Sequence, residues 1–232
     1  MNAAAAQSPL AAAAHAGAEL ALGSGGSSAV KLFILLTALS FGSALLLAVT
    51  SFTRIIIVFS FLRQALGTPQ LPPNQVLLGL SLFLTMFIMA PTGRVVHEQA
   101  LRPLLADEID AGEALRRAEP PLAEWMLRQT KEDDLRLFYD IANRPRPLRG
   151  EAIPFTVIVP AYMVSELSTA FRMGLFVFVP MLVIDLLVSA VLMSLGMMMV
   201  PPTLVAMPLK LGVFLLAGGW NMVVSSLVRS FG

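Results

Sequence analysis

The chain has 232 residues, of which 56% are hydrophobic and 13% charged, with a formal net charge of +1 and a mean hydropathy of +0.77. A soluble domain carries roughly 25% charged residues, so this composition belongs to a chain that lives in lipid or inside a large apolar assembly. The near-zero charge without a basic stripe excludes nucleic acid as a partner. The absence of cysteine excludes disulfides, thiolate metal sites and cysteine nucleophiles.

Charge is unevenly placed. Acidic and basic residues alternate densely between Arg94 and Arg149. Outside that stretch only Glu19, Lys31, Arg54, Arg63, Glu151, Glu166, Arg172, Asp185, Lys210 and Arg229 are charged. The expected organisation is therefore an Ala/Gly/Ser-rich tail over 1–29, an apolar block over 30–90, a polar module over 91–150 and a second apolar block over 151–232.

The tail cannot bury a core and reads as disordered. It has no basic n-region and does not read as a secretory signal. Val30 to Ala65 is apolar, and one helix over all of it would be roughly 50 Å long. A bilayer core needs only about 20 residues, so this helix either projects from the membrane or breaks near Thr50-Ser51. Gly67-Thr68-Pro69 and Pro72-Pro73 mark a turn. Gln75 to Ala90 forms the next apolar segment, closed by Pro91; at about 16 residues it is short for a span and long enough for a buried helix.

The polar module reads as short helices. Pro103 limits the first. Asp110 and Glu113 make a capping pair before Ala114-Leu115. Pro120-Pro121 punctuates, with Pro121 suited to a first helical position. Leu122, Trp125 and Met126 then share one apolar face. Thr130 and Asp133 form a second capping box before Leu135, Leu137, Phe138 and Ile141, and Arg144-Pro145-Arg146-Pro147 closes the module in extended form.

In the second apolar block Pro154, Pro160, Pro180, Pro201-Pro202 and Pro208 delimit candidate helices at Ala161–Val179, Met181–Met199 and Leu209–Val228. The first two are joined almost without a loop, which predicts a kinked helix at Pro180, with a tight hairpin as the alternative. Met197, Met198 and Met199 stand between Gly196 and Val200-Pro201-Pro202, a glycine and two prolines that stop a helix, so the methionines fall at a turn. Methionine is soft and fills irregular gaps. A deformable plug and ordinary packing are both open at this point.

Four ionisable residues lie inside the second apolar block, at Glu166, Arg172, Asp185 and Lys210, where charge is costly and usually faces a cavity or a partner. Their charges sum to zero, which favours pairing. Glu166 and Arg172 are too far apart to meet on one helix face, so each needs a partner on another segment or another protomer. Asp185 and Lys210 are placed to pair across the methionine turn. Tyr162, Ser165, Thr169 and Arg172, with Ser168 beside them, form a polar stripe on an apolar helix. That stripe suits a pore lining and a hydrogen-bonded helix–helix contact equally.

Enzyme chemistry finds little footing. His97-Glu98 begins like a zinc-protease motif, but Leu101 stands where its second histidine is required. No P-loop, dinucleotide fingerprint or nucleophile elbow is present. No catalytic residue, metal ligand or cofactor is expected.

Several longer strings carry a resemblance. Thr53-Arg54-Ile55-Ile56-Ile57-Val58, Leu62-Arg63-Gln64-Ala65-Leu66-Gly67-Thr68 and Pro72-Pro73-Asn74-Gln75-Val76-Leu77 resemble the first apolar block of the flagellar biosynthetic FliP family. Pro160-Ala161-Tyr162, Ser165-Glu166-Leu167, Thr169-Ala170-Phe171 and Leu195-Gly196-Met197-Met198-Met199-Val200-Pro201-Pro202 resemble its second, and Leu209-Lys210 with Gly219-Trp220 its last segment. The match covers roughly residues 50 to 230. The injectisome relatives share these motifs, while Arg63-Gln64-Ala65-Leu66-Gly67 leans towards the flagellar branch.

The resemblance implies an all-α polytopic integral membrane protein, with apolar helical hairpins flanking a small helical periplasmic module. It implies a homo-oligomer, usually a pentamer, assembling helically with FliQ- and FliR-type subunits and docking FlhB- and FlhA-type proteins. It implies a core subunit of the flagellar type III export gate, in the bacterial inner membrane at the flagellar basal body, passing unfolded protein substrates. Met197, Met198 and Met199 correspond to the family's methionine-rich gasket. The alternatives are the equivalent injectisome subunit and, from another class, an ion or proton channel using Glu166, Arg172 and Asp185.

Overall fold

The computed structural model describes residues 32–33, 47–143 and 153–232. The expectations for the tail 1–29 and for Arg144-Pro145-Arg146-Pro147 lie outside the described residues. Leu47–Gly232 forms one compact unit.

This unit contains helices and turns, with no strand among the described residues. In chain order the helices are α1 Phe52–Ala65, α2 Asn74–Val96, α3 Arg102–Leu105, α4 Ala111–Gln129, α5 Glu132–Ile141, α6 Phe155–Ser194, α7 Pro202–Leu216 and α8 Gly219–Arg229; a π-helical turn, His97–Leu101, joins α2 to α3. Leu47 and Ala48 are helical and Val49–Ser51 turn before α1 begins, so the chain does break near Thr50-Ser51.

Local chemistry sets some ends. The Asp110 side chain accepts from the Glu113 N–H at 2.7 Å and starts α4. Thr130 does not cap α5. Its hydroxyl turns back to donate to the Met126 carbonyl at 2.7 Å, and Lys131 takes the N-cap position instead. Glu132, Asp133 and Asp134 occupy the first turn of α5, where the helix dipole favours negative charge.

Prolines end fewer helices than their positions predict. Pro91 does not close the second apolar segment: α2 runs through it, and with the π turn and α3 forms a helical stretch from Asn74 to Leu105. Pro120 and Pro121 lie inside α4 rather than between two helices. Pro180 lies inside α6, one unbroken 40-residue helix, which rules out the hairpin there. A proline costs a helix interior about 3 kcal/mol. Ending the helix in an apolar setting would orphan several backbone groups at several kcal/mol each, so continuing is the smaller penalty. In α4, Ala114 on one side of the prolines and Trp125 and Met126 on the other are buried, which holds the helix together through them. The expected helix Leu209–Val228 is instead two, α7 and α8, bent by 63°.

The core forms around α1 and α6. Ile55, Val58, Phe59 and Leu62 repeat at helical spacing, are nearly inaccessible, and pack with Ile158, Tyr162 and Ala170 of α6. The two helices are in tight contact at Gly174. A Cβ there would fall 2.6 Å from Phe61 Cγ, so only glycine fits. Phe61 also meets Phe171 edge-on, with centroids 5.3 Å apart. α4, α5 and α7 pack on other parts of α6.

Much of the outer surface is apolar. Phe83, Met86, Phe87 and Phe176 are 69 to 76% exposed. Such surface requires lipid or protein cover. Asn74–Leu105 and Phe155–Ser194 are long and apolar enough to cross a membrane, with mean hydropathies of 1.9 and 2.7; the bent pair α7–α8 adds a third if counted as one span. At about 60 Å, α6 is roughly twice the thickness of a bilayer core.

Candidate functional site

Two features stand out: a methionine turn at the end of the α6–α7 hairpin, and a buried ionic node at the centre of the fold. The turn is closed by backbone geometry. Gly196 adopts φ +76, a left-handed conformation that side chains oppose. Its N–H donates to the Met193 carbonyl at 3.0 Å and the Met197 N–H to the Leu192 carbonyl at 2.9 Å. This pair of bonds is the Schellman closure that ends a helix and satisfies its last carbonyls. Pro201 then caps α7 and Pro202 opens it.

The result is a loop that presents Met197, Met198 and Met199 outward at 45, 84 and 96% exposure. Met193, Leu195 and Leu204 flank them and are also exposed. The hairpin has its own small core of Val188, Leu192 and Ala206, with Ile184 and Val200 against it. Lys210 Nζ reaches across to Asp185 Oδ2 at 2.6 Å. Asp185 and Lys210 therefore meet as an ion pair that ties α6 to α7 below the turn. Asp185 Oδ1 is buried and has no hydrogen bond among the described residues.

Glu166 finds its partner on another segment of the same chain. Arg54 Nε donates to Glu166 Oε2 at 2.8 Å and Arg54 Nη2 to Oε1, with both side chains inside the core. Arg54 Nη1 donates to the Ser230 carbonyl and hydroxyl, each at 2.9 Å, and Nη2 also reaches Gln129 Oε1 at 3.2 Å. The Arg54 guanidinium lies 3.8 Å from the centre of the Phe231 ring, which also stacks on Trp125. All its nitrogens are satisfied, as a buried charge requires. One side chain thus joins α1, α4, α6 and the segment after α8. The residue-by-residue reading of charges missed this role of Arg54. The available signal was a lone arginine within the apolar run Phe52 to Phe59.

The polar stripe divides. Tyr162 and Ser165 are fully buried. Tyr162 donates to the Thr50 carbonyl at 2.8 Å. Ser165 donates to Asp134 Oδ2 at 2.5 Å and accepts the Lys131 N–H at 2.9 Å. Ser168 is exposed and accepts from Lys131 Nζ at 2.7 Å. Thr169 is partly buried. Arg172 is exposed and makes no hydrogen bond or ion pair among the described residues. The structure does not bring Arg172 to Glu166. No cluster of three or more His, Asp or Glu side chains among the described residues is placed to hold a metal ion.

Long apolar helices, ion pairs closed within the chain and a soft exposed turn define an all-α membrane protein. The chain belongs to the FliP family, whose model matches residues 35–227. It is 52% identical over 213 residues to the flagellar biosynthetic protein FliP of Pectobacterium carotovorum subsp. carotovorum, spanning 90% of this chain and 83% of that protein. It is 48% identical over 205 residues to the FliP protein of Bacillus subtilis (strain 168), spanning 88% and 93%. The FliP protein of Aquifex aeolicus (strain VF5) is 45% identical over 216 residues, spanning 92% and 90%.

Proposed function

We propose that this chain is a core pore-forming subunit of the flagellar type III protein export gate, passing unfolded flagellar proteins across the bacterial inner membrane at the basal body. Family membership supports the flagellar setting. The observation that carries the mechanism is the exposed Met197–Met199 loop, held by a Schellman closure at the tip of a braced hairpin. In this reading copies of the chain, five as the family resemblance implies, gather with FliQ- and FliR-type subunits so that their methionine loops converge. FlhB- and FlhA-type subunits dock on that complex, and the polar module faces the periplasm.

The work of such a loop is physical and needs no covalent step or cofactor. Methionine is unbranched and polarisable, so a ring of them closes against itself and reshapes around different chains. Rigid hairpins hold the loops in place while the side chains yield.

The test is to replace a flagellated host's own gate subunit with this chain, and then with a variant in which Met197, Met198 and Met199 are alanine. The parent chain should restore export of flagellar proteins. The variant should still assemble and leave the membrane leaky to small ions. Complexes as tight as the parent would overturn the gasket, and failure of the parent to support export would overturn the gate assignment.

A further inference from the structure

Helix α8 is fastened to the rest of the chain mainly at its two ends. At its start Gly218 takes φ +62, and the chain turns by 63° out of α7. Glycine adopts that left-handed conformation without a side-chain penalty. Trp220 meets Phe214 of α7 and Phe59 of α1 there, with ring centroids 5.7 and 6.3 Å apart. Along the helix the buried row is Val223, Leu227 and, past the helix end, Phe231. A cavity of about 390 Å³, lined by Met222, Val223 and Ser226 of α8 and by Met173, Val177 and Pro180 of α6, lies between those two helices.

The far end is held by polar groups from two other elements. Arg54 Nη1 of α1 donates to the Ser230 carbonyl and hydroxyl. That carbonyl is one of those a helix leaves unpaired at its C-terminus, where a cation is also favoured. Gln129 of α4 donates from Nε2 to the Phe231 carbonyl at 3.1 Å, while its Oε1 accepts from Arg54 Nη2. The Phe231 ring lies against the Arg54 guanidinium and stacks on Trp125 of α4. These contacts can part without stranding a charge. Glu166 takes Nε and Nη2 of Arg54, and the end of α8 takes Nη1. Losing the partners of Nη1 leaves the ion pair closed, and an unpaired buried charge, the costly outcome, does not arise.

We propose that α8 with Ser230 and Phe231 is a latched strap, hinged at Ala217-Gly218 and caught by Arg54, Gln129 and Trp125. An element held by few buried contacts opens locally, at less cost than unfolding the whole chain. Opening admits water to the Arg54–Glu166 pair and frees the C-terminal end of α4 from α1, while the α1–α6 core stays closed. The strap follows directly on α7, which begins at the methionine turn, so it ties the hairpin of that turn to the polar module. The latch is a property of the fold and does not depend on the export function.

Hydrogen–deuterium exchange of the full chain in detergent, read by mass spectrometry, tests this. In the parent, amides of 220–231 should exchange about tenfold faster than those of 54–62 in α1, or faster still. Phe231→Ala removes the aromatic stack. It should speed 220–231 about tenfold further, speed 125–129 with it, and leave 54–62 unchanged. Gln129→Leu keeps the bulk and removes two hydrogen bonds. It should act in the same direction by several-fold, and it decides the matter if Phe231→Ala does not fold. Parent protein in which 220–231 and 54–62 exchange together overturns the strap. So does a folded variant that speeds both segments equally, or one that leaves 220–231 at the parent's rate.

Discussion

Arg54 and Glu166 are separated by 112 positions in sequence and face each other inside the core through two guanidinium–carboxylate hydrogen bonds. The remaining donors of Arg54 hold Ser230 and Gln129. The polar module, the two central helices and the residues after α8 therefore share one charged side chain.

Breaking this pair from one side leaves the other charge buried. Arg54→Met or Glu166→Leu alone should each cost about 3 to 5 kcal/mol. The double substitution removes both charges and should recover most of that loss. Thermal unfolding of the purified chain in detergent checks it, and equal losses in single and double variants would show that the pair is not the cause.

The approach of α1 to α6 depends on Gly174, where an added Cβ would fall 2.6 Å from Phe61. Gly174→Ala should destabilise by about 1 to 3 kcal/mol, the range for overpacking a filled core. Adding Phe61→Ala should relieve much of the strain, so the two changes should not add. Melting temperatures of the two singles and the double decide the matter.

Asp185 and Lys210 brace the hairpin below the methionine turn. Asp185→Asn or Lys210→Met should each lower the yield of assembled protein in size-exclusion chromatography, because each strands a largely buried partner. The charge-reversed double, Asp185→Lys with Lys210→Asp, should restore part of it. Normal assembly of both singles would remove the pair from any structural role.

Gly196 supplies the left-handed residue of the Schellman closure. Gly196→Ala should cost about 1 to 2 kcal/mol and loosen the loop while α6 stays helical. Circular dichroism should show unchanged helix content, with increased protease cleavage confined to the segment around Met197–Met199.

In the polar module the Arg117 and Arg116 guanidinium groups hydrogen-bond Glu113 and hold its carboxyl below its ordinary value of 4.5. A carboxylate with a lowered folded pKa contributes stability that is present above the ordinary value and lost as pH falls through the folded one. Carboxyl chemical shifts should give Glu113 a midpoint below 4.5. Replacing both arginines with glutamine should return it to the ordinary range.

Local signals were read correctly where the competing forces are also local. The Asp110–Glu113 cap and the stop at Gly196-Pro201-Pro202 depend on backbone groups within a few residues. They failed at Pro91 and Pro120-Pro121, where packing on either side and the cost of orphaned backbone outweigh a proline's penalty, whereas at Pro180 the expected continuation of the helix through the proline holds. Thr130 failed differently. Its hydroxyl had two acceptable backbone partners, and the carbonyl of the preceding helix won.

The amino-acid sequence by itself determined the apolar character of the chain, the polar module between its apolar blocks, the methionine turn and the family. Composition and nearest-neighbour backbone chemistry are enough for the first three, and the long ordered strings for the last. Only the tertiary structure decided between a kinked helix and a hairpin at Pro180, that the partner of Glu166 is Arg54 of the same chain, and that Arg172 is left exposed. Pairings between distant segments depend on which helix faces are brought together, and that is set by the close fit of whole surfaces, such as Phe61 against Gly174, rather than by residue spacing along the chain.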